Sequence, residues 1–473
     1  MSMFVPKKMI LRVVAAVLLA GACWWLSFDL GLHWWWPIWL APAPVLWLAP
    51  RLRAFPAFGV AFLAFLIGRC AWLSFLSSVL PPVPAIIFTV MPALFFALAV
   101  LPARVFVKRG QPVLAALSFA ALWTSIEFLF ALLGRDGTIV SIAYTQASTP
   151  ELVQIAALTG VAGITFVLCL LPASLVWQEG SPKGWGALVF VFVLGYGAVR
   201  MTTGKYGEPV KVGMVALEEG VYKNGIYPKN DSDQFGILFR YVPEIEKLGE
   251  QGVKLVVLPE KAIPVTEFTG DGLRMSMTKL ANRFGMRIVV GYTTISPKPM
   301  RNWAALIDSG QGVVGAYEKV HLFEGEMIEG FGHGSKPWII GNSGVAICKD
   351  LDFESYMRQY GEAGIGVLYA PAWDFVRDGW WHSRVAIIGA VANGYSLVRN
   401  AREGRMTISD DRGRVRYEAS SESRKLTTLI GVVQPSTGRT LYSRWGDWFS
   451  WLMLVVAAGT LVYLAARRSF TRV

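Results

Sequence analysis

The chain has 473 residues, of which 54% are hydrophobic and only 16% are charged, and its mean hydropathy is +0.44. Ordinary soluble domains carry roughly 25% charged residues, so this composition excludes a wholly soluble protein, and the abundance of aromatic residues excludes a disordered one. The net charge of +12 comes mainly from the two hydrophobic ends, so no basic patch remains in the middle to bind nucleic acid.

Eight apolar segments are candidates for crossing a bilayer, which takes roughly 20 mostly apolar residues. We therefore predict a polytopic α-helical membrane domain of about eight spans, in which the first segment is a retained anchor rather than a cleaved signal peptide. Pro37, Pro42 and Pro44 weaken the second segment. The eight segments lie near residues 10–28, 34–50, 54–76, 84–107, 113–134, 154–178, 184–201 and 446–466.

Lysine and arginine residues flank these segments unevenly. If all eight segments span, every cluster falls on one side, and the positive-inside rule makes that side cytoplasmic. Both termini are then cytoplasmic, and the region between the last two spans lies outside the cytoplasm. The basic residues concerned are Lys7, Lys8, Arg12, Arg51, Arg53, Arg104, Lys108, Arg109, Lys183, Arg467, Arg468 and Arg472.

The middle of the chain has the pattern of an α/β domain. Helical stretches at 235–248 and 275–284 alternate with short β-rich runs, and this alternation favours a sheet covered by helices. The runs lie at 210–216, 253–258, 287–292, 304–307, 345–347, 367–369 and 396–398. We expect three parts: a seven-span domain (1–204), an extracytoplasmic α/β domain (205–440), and a final span with a basic tail (441–473).

Three chemically useful residues follow predicted strands in this domain. Glu260 lies just after the run at 253–258, Lys319 follows a hairpin-like turn at 307–310, and Cys348 comes directly after the run at 345–347. Cys348 is the only cysteine of the domain, so no disulfide partner within the domain explains it. Together the three supply a base, a cation for a developing oxyanion, and a nucleophile.

The motifs that contain these residues resemble those of a known superfamily. They are Leu-Pro-Glu at 258–260, Glu-Lys-x-His-Leu at 318–322 and Ile-Cys-x-Asp at 347–350. Their order resembles the nitrilase superfamily, which has an αββα sandwich fold and a Glu-Lys-Cys triad. With eight spans, the chain is similar to one branch, the apolipoprotein N-acyltransferases of the bacterial inner membrane. Further matching motifs lie at 123–127, 144–150, 160–163 and 442–447.

The resemblance implies a two-step acyl transfer. Glu260 would be the base, Cys348 the nucleophile that takes an acyl chain from a phospholipid, and Lys319 the cation that stabilises the oxyanion. The acceptor would be the α-amine of a diacylglyceryl-modified cysteine at a lipoprotein N-terminus, with the catalytic domain on the periplasmic side. Glu326 is the candidate for the second glutamate of the family, with Glu324 as its rival. We expect a monomer without cofactor or metal.

The segments expected to shape the acceptor pocket depart from the family pattern. Lys349 and Asp350 follow the nucleophile where the family commonly has Tyr and an acid, and the surroundings of Trp373 and His382 also differ. We expect these four residues to bind substrate. Two readings therefore stay open beside the transferase: a membrane-anchored amidase or hydrolase, in which water resolves the acyl-enzyme, and an N-acyltransferase for a different amine. A non-catalytic receptor would not need all three triad residues.

Two further expectations concern an ion pair in the membrane domain and a glycine-containing loop. Phe130 stands where the family has an Arg in the fifth span, so we hypothesise that Arg69 in the third span pairs with Glu127 at similar depth. Gly330-x-Gly-x-Gly334 lacks the preceding strand of a dinucleotide loop and is expected to be a flexible loop near the site. His321, His333 and nearby acids have no metal-binding spacing.

Overall fold

The structure is a computed structural model that describes residues 7–179, 182, 184–217, 227–228, 230–422 and 426–470. The chain divides into two compact units: Met1–Met201 with Asp447–Val473, and Thr202–Gly446. Lys183 and Arg472, two of the basic residues used to orient the chain, lie outside the described residues, as does the side chain of Arg468.

The boundary before the last helix differs from the expected one at residue 441. Residues Leu441–Trp445 form a short helix in the second unit, where it contacts two helices of the α/β domain. Its N-terminus is capped because the Thr440 hydroxyl accepts from the Ser443 amide, and Tyr442 is fully buried. This burial fixes the segment to the α/β unit and moves the boundary to Gly446.

The first unit consists of apolar helices. Before residue 203 they are α1 (Lys7–Phe28), α2 (Pro42–Leu48), α3 (Ala54–Arg69), α4 (Leu73–Val79), α5 (Pro82–Lys108), α6 (Pro112–Leu133), α7 (Pro150–Val153), α8 (Ala156–Thr159), α9 (Val161–Val176) and α10 (Trp185–Thr202). In the described chain, six helices are long and apolar enough to cross a membrane, including α3 joined with α4 and the C-terminal helix from Trp448. A seventh arises if Pro150–Thr159 and Val161–Val176, bent by 120°, count as one span.

The missing span is the second of the eight expected. Only α2, seven residues long, forms there, between 3-10 turns at Pro37–Trp39 and Ala49–Arg51. The prolines supply no backbone N–H and constrain the chain, so no continuous helix develops. Side chains bond carbonyls of this broken segment: Trp177 Nε1 donates to Leu46 O at 3.0 Å, and Arg104 Nε to Ala49 O at 3.0 Å.

An interrupted helix can lie within a bilayer only if its free backbone carbonyls accept hydrogen bonds from other groups. We predict that residues 37–51 cross the membrane, because Arg51 and Arg53 otherwise lie opposite Lys7 and Lys8, against the positive-inside rule. With the native cysteines replaced by alanine, an impermeant maleimide should label Leu32→Cys on intact spheroplasts and Ala54→Cys only after permeabilisation. Equal labelling of both on intact cells would show that the segment does not cross.

The second unit is a layered α/β domain. Its helices are α11 (Asp231–Glu250), α12 (Glu267–Phe284), α13 (Glu324–Glu329), α14 (Glu354–Ala363), α15 (Gly379–Asn393) and α16 (Leu441–Trp445); α17 (Trp448–Phe470) returns to the first unit. Its strands are β1 (Val210–Leu217), β2 (Leu255–Val257), β3 (Ile263–Val265), β4 (Arg287–Thr294), β5 (Arg301–Asp308), β6 (Gly312–Glu318), β7 (Trp338–Ile340), β8 (Ser343–Val345), β9 (Val367–Trp373), β10 (Ser396–Arg402), β11 (Arg405–Ser409), β12 (Val415–Ser420) and β13 (Leu426–Val433).

The strands form two sheets. One has the order β13-β1-β2-β4-β5-β6, with β3 also paired to β4, and the other has the order β12-β11-β10-β9-β8-β7. Alternate residues of β1 take part in two cores: Val212 and Met214 pack in the core shared with the second sheet, and Val215 packs with α11 and α12. With α14 and α15 contributing to the shared core from the other side, the expected αββα sandwich is confirmed.

Candidate active site

The three predicted catalytic residues lie just beyond strand ends in both sheets. Glu260 follows β2, Lys319 follows β6, and Cys348 follows β8. The first two strands belong to one sheet and the third to the other, so packing of the two sheets over their common core brings the three segments together. Residues spaced widely along the chain therefore meet at one site.

A short ion pair joins the predicted base and the predicted cation. Lys319 Nζ donates to Glu260 Oε1 at 2.7 Å and to Glu326 Oε2 at 2.7 Å, and all three side chains are buried. Burial alone would lower the pKa of Lys319, but the two carboxylates outweigh it and hold that pKa well above its ordinary value. Lys319 is therefore a permanent cation at working pH.

Glu326, and not Glu324, makes the contact with Lys319. It lies in α13, and four donors saturate its carboxylate: Lys319 and the Phe323 amide (2.9 Å) on Oε2, and Lys261 (2.7 Å) and Asn302 Nδ2 (2.9 Å) on Oε1. Burial would raise the pKa of Glu326, but the two lysines bring it far below its ordinary value. A carboxylate so held orients Lys319 and does not exchange protons.

Cys348 carries a free thiol in a strained backbone position. Its φ is +44°, in the left-handed region that non-glycine residues seldom adopt, and it begins the 3-10 turn Cys348–Asp352. The thiol donates to Trp373 O at 3.4 Å. Burial, with the nearby Glu260 carboxylate, raises the pKa of Cys348 well above its ordinary value although Lys319 opposes this. At rest Cys348 is therefore a protonated thiol, and it would need a base in order to act as a nucleophile.

Glycine at position 291 permits the approach of Glu260. A Cβ there would overlap the carbonyl of Pro259 and crowd the Cα of Glu260. The Glu260 amide itself donates to Ala372 O at 3.3 Å in the neighbouring strand segment. The position of the base thus depends on close backbone contacts on both sides.

We predict that Gly291→Ala displaces Glu260 and slows acylation of Cys348 by about 100-fold, as a misplacement on the order of 1 Å does. Gly236→Ala in α11 is the matched control, because nothing lies within 4 Å of a Cβ there. Acyl-enzyme formation followed by mass spectrometry, with thermal unfolding of both variants, checks this. Equal rates for the two variants would contradict it.

Asp350, which we expected to bind substrate, is hydrogen-bonded within the protein. It is completely buried, and its carboxylate accepts from Tyr317 OH (2.7 Å), the Ile347 amide (3.0 Å) and the His321 amide (2.8 Å). These bonds tie the segment after Lys319 to the segment before Cys348. Asp350 therefore holds two catalytic loops in register.

Lys349 and Trp373 lie beside the nucleophile in different ways. Lys349 Nζ is 3.8 Å from Asp352 and the side chain is mostly buried, so its charge is directed at that carboxylate. The Trp373 carbonyl accepts a hydrogen bond from the Cys348 thiol, and the Trp373 indole donates a hydrogen bond to Glu403 at 3.0 Å. The guanidinium of Arg402 lies 4.6 Å from the Trp373 ring. Trp373 is the better placed of the two to line a substrate site.

His382 belongs to a second buried charge cluster. Its Nδ1 is 2.8 Å from Asp378 Oδ2 and 3.7 Å from Asp374 Oδ1, while Arg399 donates twice to Asp374 at 3.0 and 2.5 Å. Burial would lower the pKa of His382, but Asp378, Asp352 and Asp374 raise it to about 9. His382 is thus an imidazolium at neutral pH that stabilises the segment after Trp373.

This raised pKa makes stability depend on pH. Because the folded value exceeds the ordinary 6.5, the contribution of His382 is complete below that value and disappears as pH rises through about 9. We predict that the thermal unfolding midpoint in detergent falls between pH 6.5 and 9, and that His382→Gln is less stable than wild type at pH 6.5 but shows a weaker fall, so that the two midpoints converge as pH rises. A wild-type midpoint constant over this range would contradict the assignment.

Arg69 and Glu127 do not form the hypothesised ion pair. Glu127 accepts instead from Ser141 (2.6 Å), Thr165 (2.7 Å), the Ile142 amide (3.0 Å) and Trp123 (3.1 Å). Arg69 lies against aromatic rings, with its guanidinium carbon 5.3 Å from the centroid of Phe28. Neutral donors saturate the carboxylate, so it does not need a cation in direct contact.

The glycine-containing loop at 330–334 is also bound rather than loose. Gly332 N donates to Met300 O and Gly334 N to Lys319 O, both at 2.8 Å. A Cβ at Gly334 would overlap the Glu318 carbonyl. The loop packs against the Lys319 segment, and its glycines permit that approach.

Sequence reasoning missed several residues of the site. Asn302 Nδ2 donates to both Glu260 (2.6 Å) and Glu326 (2.9 Å), and Lys261 adds a second buried ammonium. Asp374 and Arg399 form a further buried ion pair next to Trp373. An asparagine within an apolar strand, and a lysine adjoining the base, were the available signals. Among the described residues, no group of three or more His, Cys, Asp or Glu is arranged to hold a metal.

The chain is similar to several known proteins. An amidase of the nitrilase superfamily from Nesterenkonia AN1 is 17% identical, with a TM-score of 0.41, over 51% of this chain and 95% of its own. Apolipoprotein N-acyltransferases from Geobacter metallireducens and Nitrosomonas europaea are 28% and 25% identical, covering 91% and 74% of this chain and 91% and 75% of their own length.

Two family models match successive parts of the chain. The one described as apolipoprotein N-acyltransferase N-terminal domain matches residues 20–174, and the one described as carbon-nitrogen hydrolase matches residues 226–441. The second match contains Glu260, Lys319 and Cys348. The two matches and the named relatives together support an N-acyltransferase in the nitrilase superfamily.

Proposed function

We propose that the protein transfers a fatty acyl chain from a phospholipid to the N-terminal α-amine of diacylglyceryl-cysteine apolipoproteins. The observation that carries this proposal is a buried Glu260–Lys319–Glu326 cluster acting on the thiol of Cys348, in a chain that also has at least six apolar helices of spanning length. Such helices give the site access to donors that reside in a bilayer, and the relatives are named for this reaction.

In the first half-reaction Glu260 takes the proton of the Cys348 thiol, and the sulfur attacks the ester carbonyl of the phospholipid. Lys319 stabilises the oxyanion of the tetrahedral intermediate, since its charge persists at working pH. The C–O bond to the glycerol then breaks, and Glu260 returns the proton to the leaving oxygen. The products are a lysophospholipid and a thioester on Cys348.

In the second half-reaction the acceptor amine attacks the thioester. Glu260 removes a proton from the attacking nitrogen, the C–S bond breaks, and the proton returns to the sulfur, which restores the thiol. The free enzyme carries this proton stably because burial and Glu260 keep the pKa of Cys348 high. The amide formed is the N-acylated lipoprotein, and Trp373 is the residue we assign to the acceptor side.

The proposal also includes location. The basic residues around the apolar helices support a plasma membrane protein with cytoplasmic termini and the α/β unit on the periplasmic side. That side is where a lipoprotein N-terminus anchored in the outer leaflet meets the enzyme. We propose that the monomer is the functional form.

The direct test is mass spectrometry of the purified protein incubated with phospholipid and then with a diacylglyceryl-cysteine peptide. We expect an acyl adduct on Cys348 that moves to the amine of the peptide, because a thioester is stable enough to isolate and reactive toward amines. Cys348→Ala is the control and should give neither species. The conservative Lys319→Arg should retain phospholipid binding and lose most adduct formation.

Three results would contradict the proposal. An adduct lost only to water would identify a membrane-anchored hydrolase, and an adduct that moves only to other amines would identify a different acceptor. Absence of any adduct with phospholipid would refute the donor. The absence of an adduct concerns the first half-reaction, and the fate of the adduct concerns the second.

A further inference from the structure

Lys261 directly follows Glu260 in the chain, and both side chains belong to the same buried cluster. Successive side chains of an extended strand point in opposite directions. Glu260 and Lys261 nevertheless contact the same group of residues, since Glu260 binds Lys319 and Asn302 while Lys261 binds Glu326. The φ of +51° at Lys261 turns the chain and makes this possible.

The environment of Lys261 excludes water. Its side chain is 7% exposed, and its Nζ lies 2.7 Å from Glu326 Oε1, 4.5 Å from the centroid of Phe331 and 5.7 Å from that of Trp373. Trp373 is the residue whose carbonyl accepts the Cys348 thiol. The ammonium thus lies between the carboxylate that orients Lys319 and the segment that contacts the nucleophile.

Counting charges indicates what Lys261 does. Glu260 and Glu326 contribute two negative charges, and Lys319 supplies only one positive charge. Without Lys261 the buried cluster carries a net charge of −1, which opposes formation of a thiolate or an oxyanion beside it. Lys319 would then be the single cation in contact with both Glu326 and Glu260 within this cluster. With Lys261 the cluster is neutral. Lys319 gives one N–H to each carboxylate, and the third of its three donors is not bound by either of them.

We propose that Lys261 is a positioning residue for the reaction of Cys348: it balances the charge of Glu326, so that the cluster around Lys319 is neutral and does not oppose negative charge at the nucleophile. The role of this charge in acyl transfer rests on the proposed function, but its effect on the thiol does not. Lys261 touches neither the thiol nor a reacting atom in the contacts above. It acts through Glu326 and Lys319.

The test measures alkylation of Cys348 by iodoacetamide across pH, read at the Cys348 peptide by mass spectrometry on the full-length protein in detergent. The charged groups acting on this thiol are Glu260, Lys319, Asp374 and Arg399. Lys261→Met should move the pH midpoint of alkylation upward, while Lys261→Arg should leave it near the wild-type value. Acyl-enzyme formation in Lys261→Met should fall by about 100-fold.

A second pair of variants keeps the proposal testable if Lys261→Met does not fold. The double variant Lys261→Met with Glu326→Gln removes one charge of each sign and should restore a midpoint near that of wild type. Glu326→Gln alone leaves an uncompensated cation and should move the midpoint downward from that of the double variant. Equal midpoints for these two, or an unchanged midpoint in folded Lys261→Met with reduced thermal stability only, would overturn the proposal.

Because alkylation needs no lipid, the two proposals can fail separately. A shifted midpoint without any acyl adduct would refute the acyl donor and leave the role of Lys261 intact. Normal acyl transfer with an unshifted midpoint would refute the role of Lys261 alone.

Discussion

Burial of charge is the constraint on which the active site depends. A single ion taken out of water is costly, and a buried pair is tolerated only when its hydrogen bonds are complete. Glu260, Lys319, Glu326 and Lys261 balance one another's charge, and Asn302 donates to both carboxylates. No member can be removed without leaving a partner exposed to the low-dielectric interior. The cluster therefore fixes the geometry of the loops that supply it.

The nucleophile lies beside two such balanced clusters. On one side is the glutamate–lysine group, and on the other Arg399 binds Asp374 next to the segment that contacts the thiol. His382 and Asp378 extend the second cluster. Both clusters act on the same sulfur electrostatically, with opposite signs represented in each. The thiol thus remains protonated at rest while its surroundings are already arranged for a negative charge.

The same rule applies in the first unit, where the solvent would be hydrocarbon. Glu127 meets it with hydroxyl, amide and indole donors rather than with Arg69. The broken segment around α2 meets it through donors from Trp177 and Arg104 to its carbonyls. In both places side chains from distant helices complete bonds that the local backbone cannot. Hydrogen bonding of polar groups therefore shapes this unit together with hydrophobic length.

Sequence alone determined the elements whose signal is local. Apolar length located the spanning helices, short β-rich runs located β1, β4 and β9, and the residues after the predicted strands indicated Glu260, Lys319 and Cys348. Tertiary structure decided what depends on residues far apart in the chain. The choice of Glu326 over Glu324, the bridging by Asn302 and the inward turn of Lys261 follow from how two sheets pack and from backbone angles at single residues. Composition and spacing do not encode those angles or those distant partners. For the same reason the sequence alone predicts that Asp350 binds substrate and that Arg69 pairs with Glu127, whereas both carboxylates have other partners in the folded chain. Side-chain direction beyond a strand end is set by the partners that meet there, and these partners exist only in the folded chain.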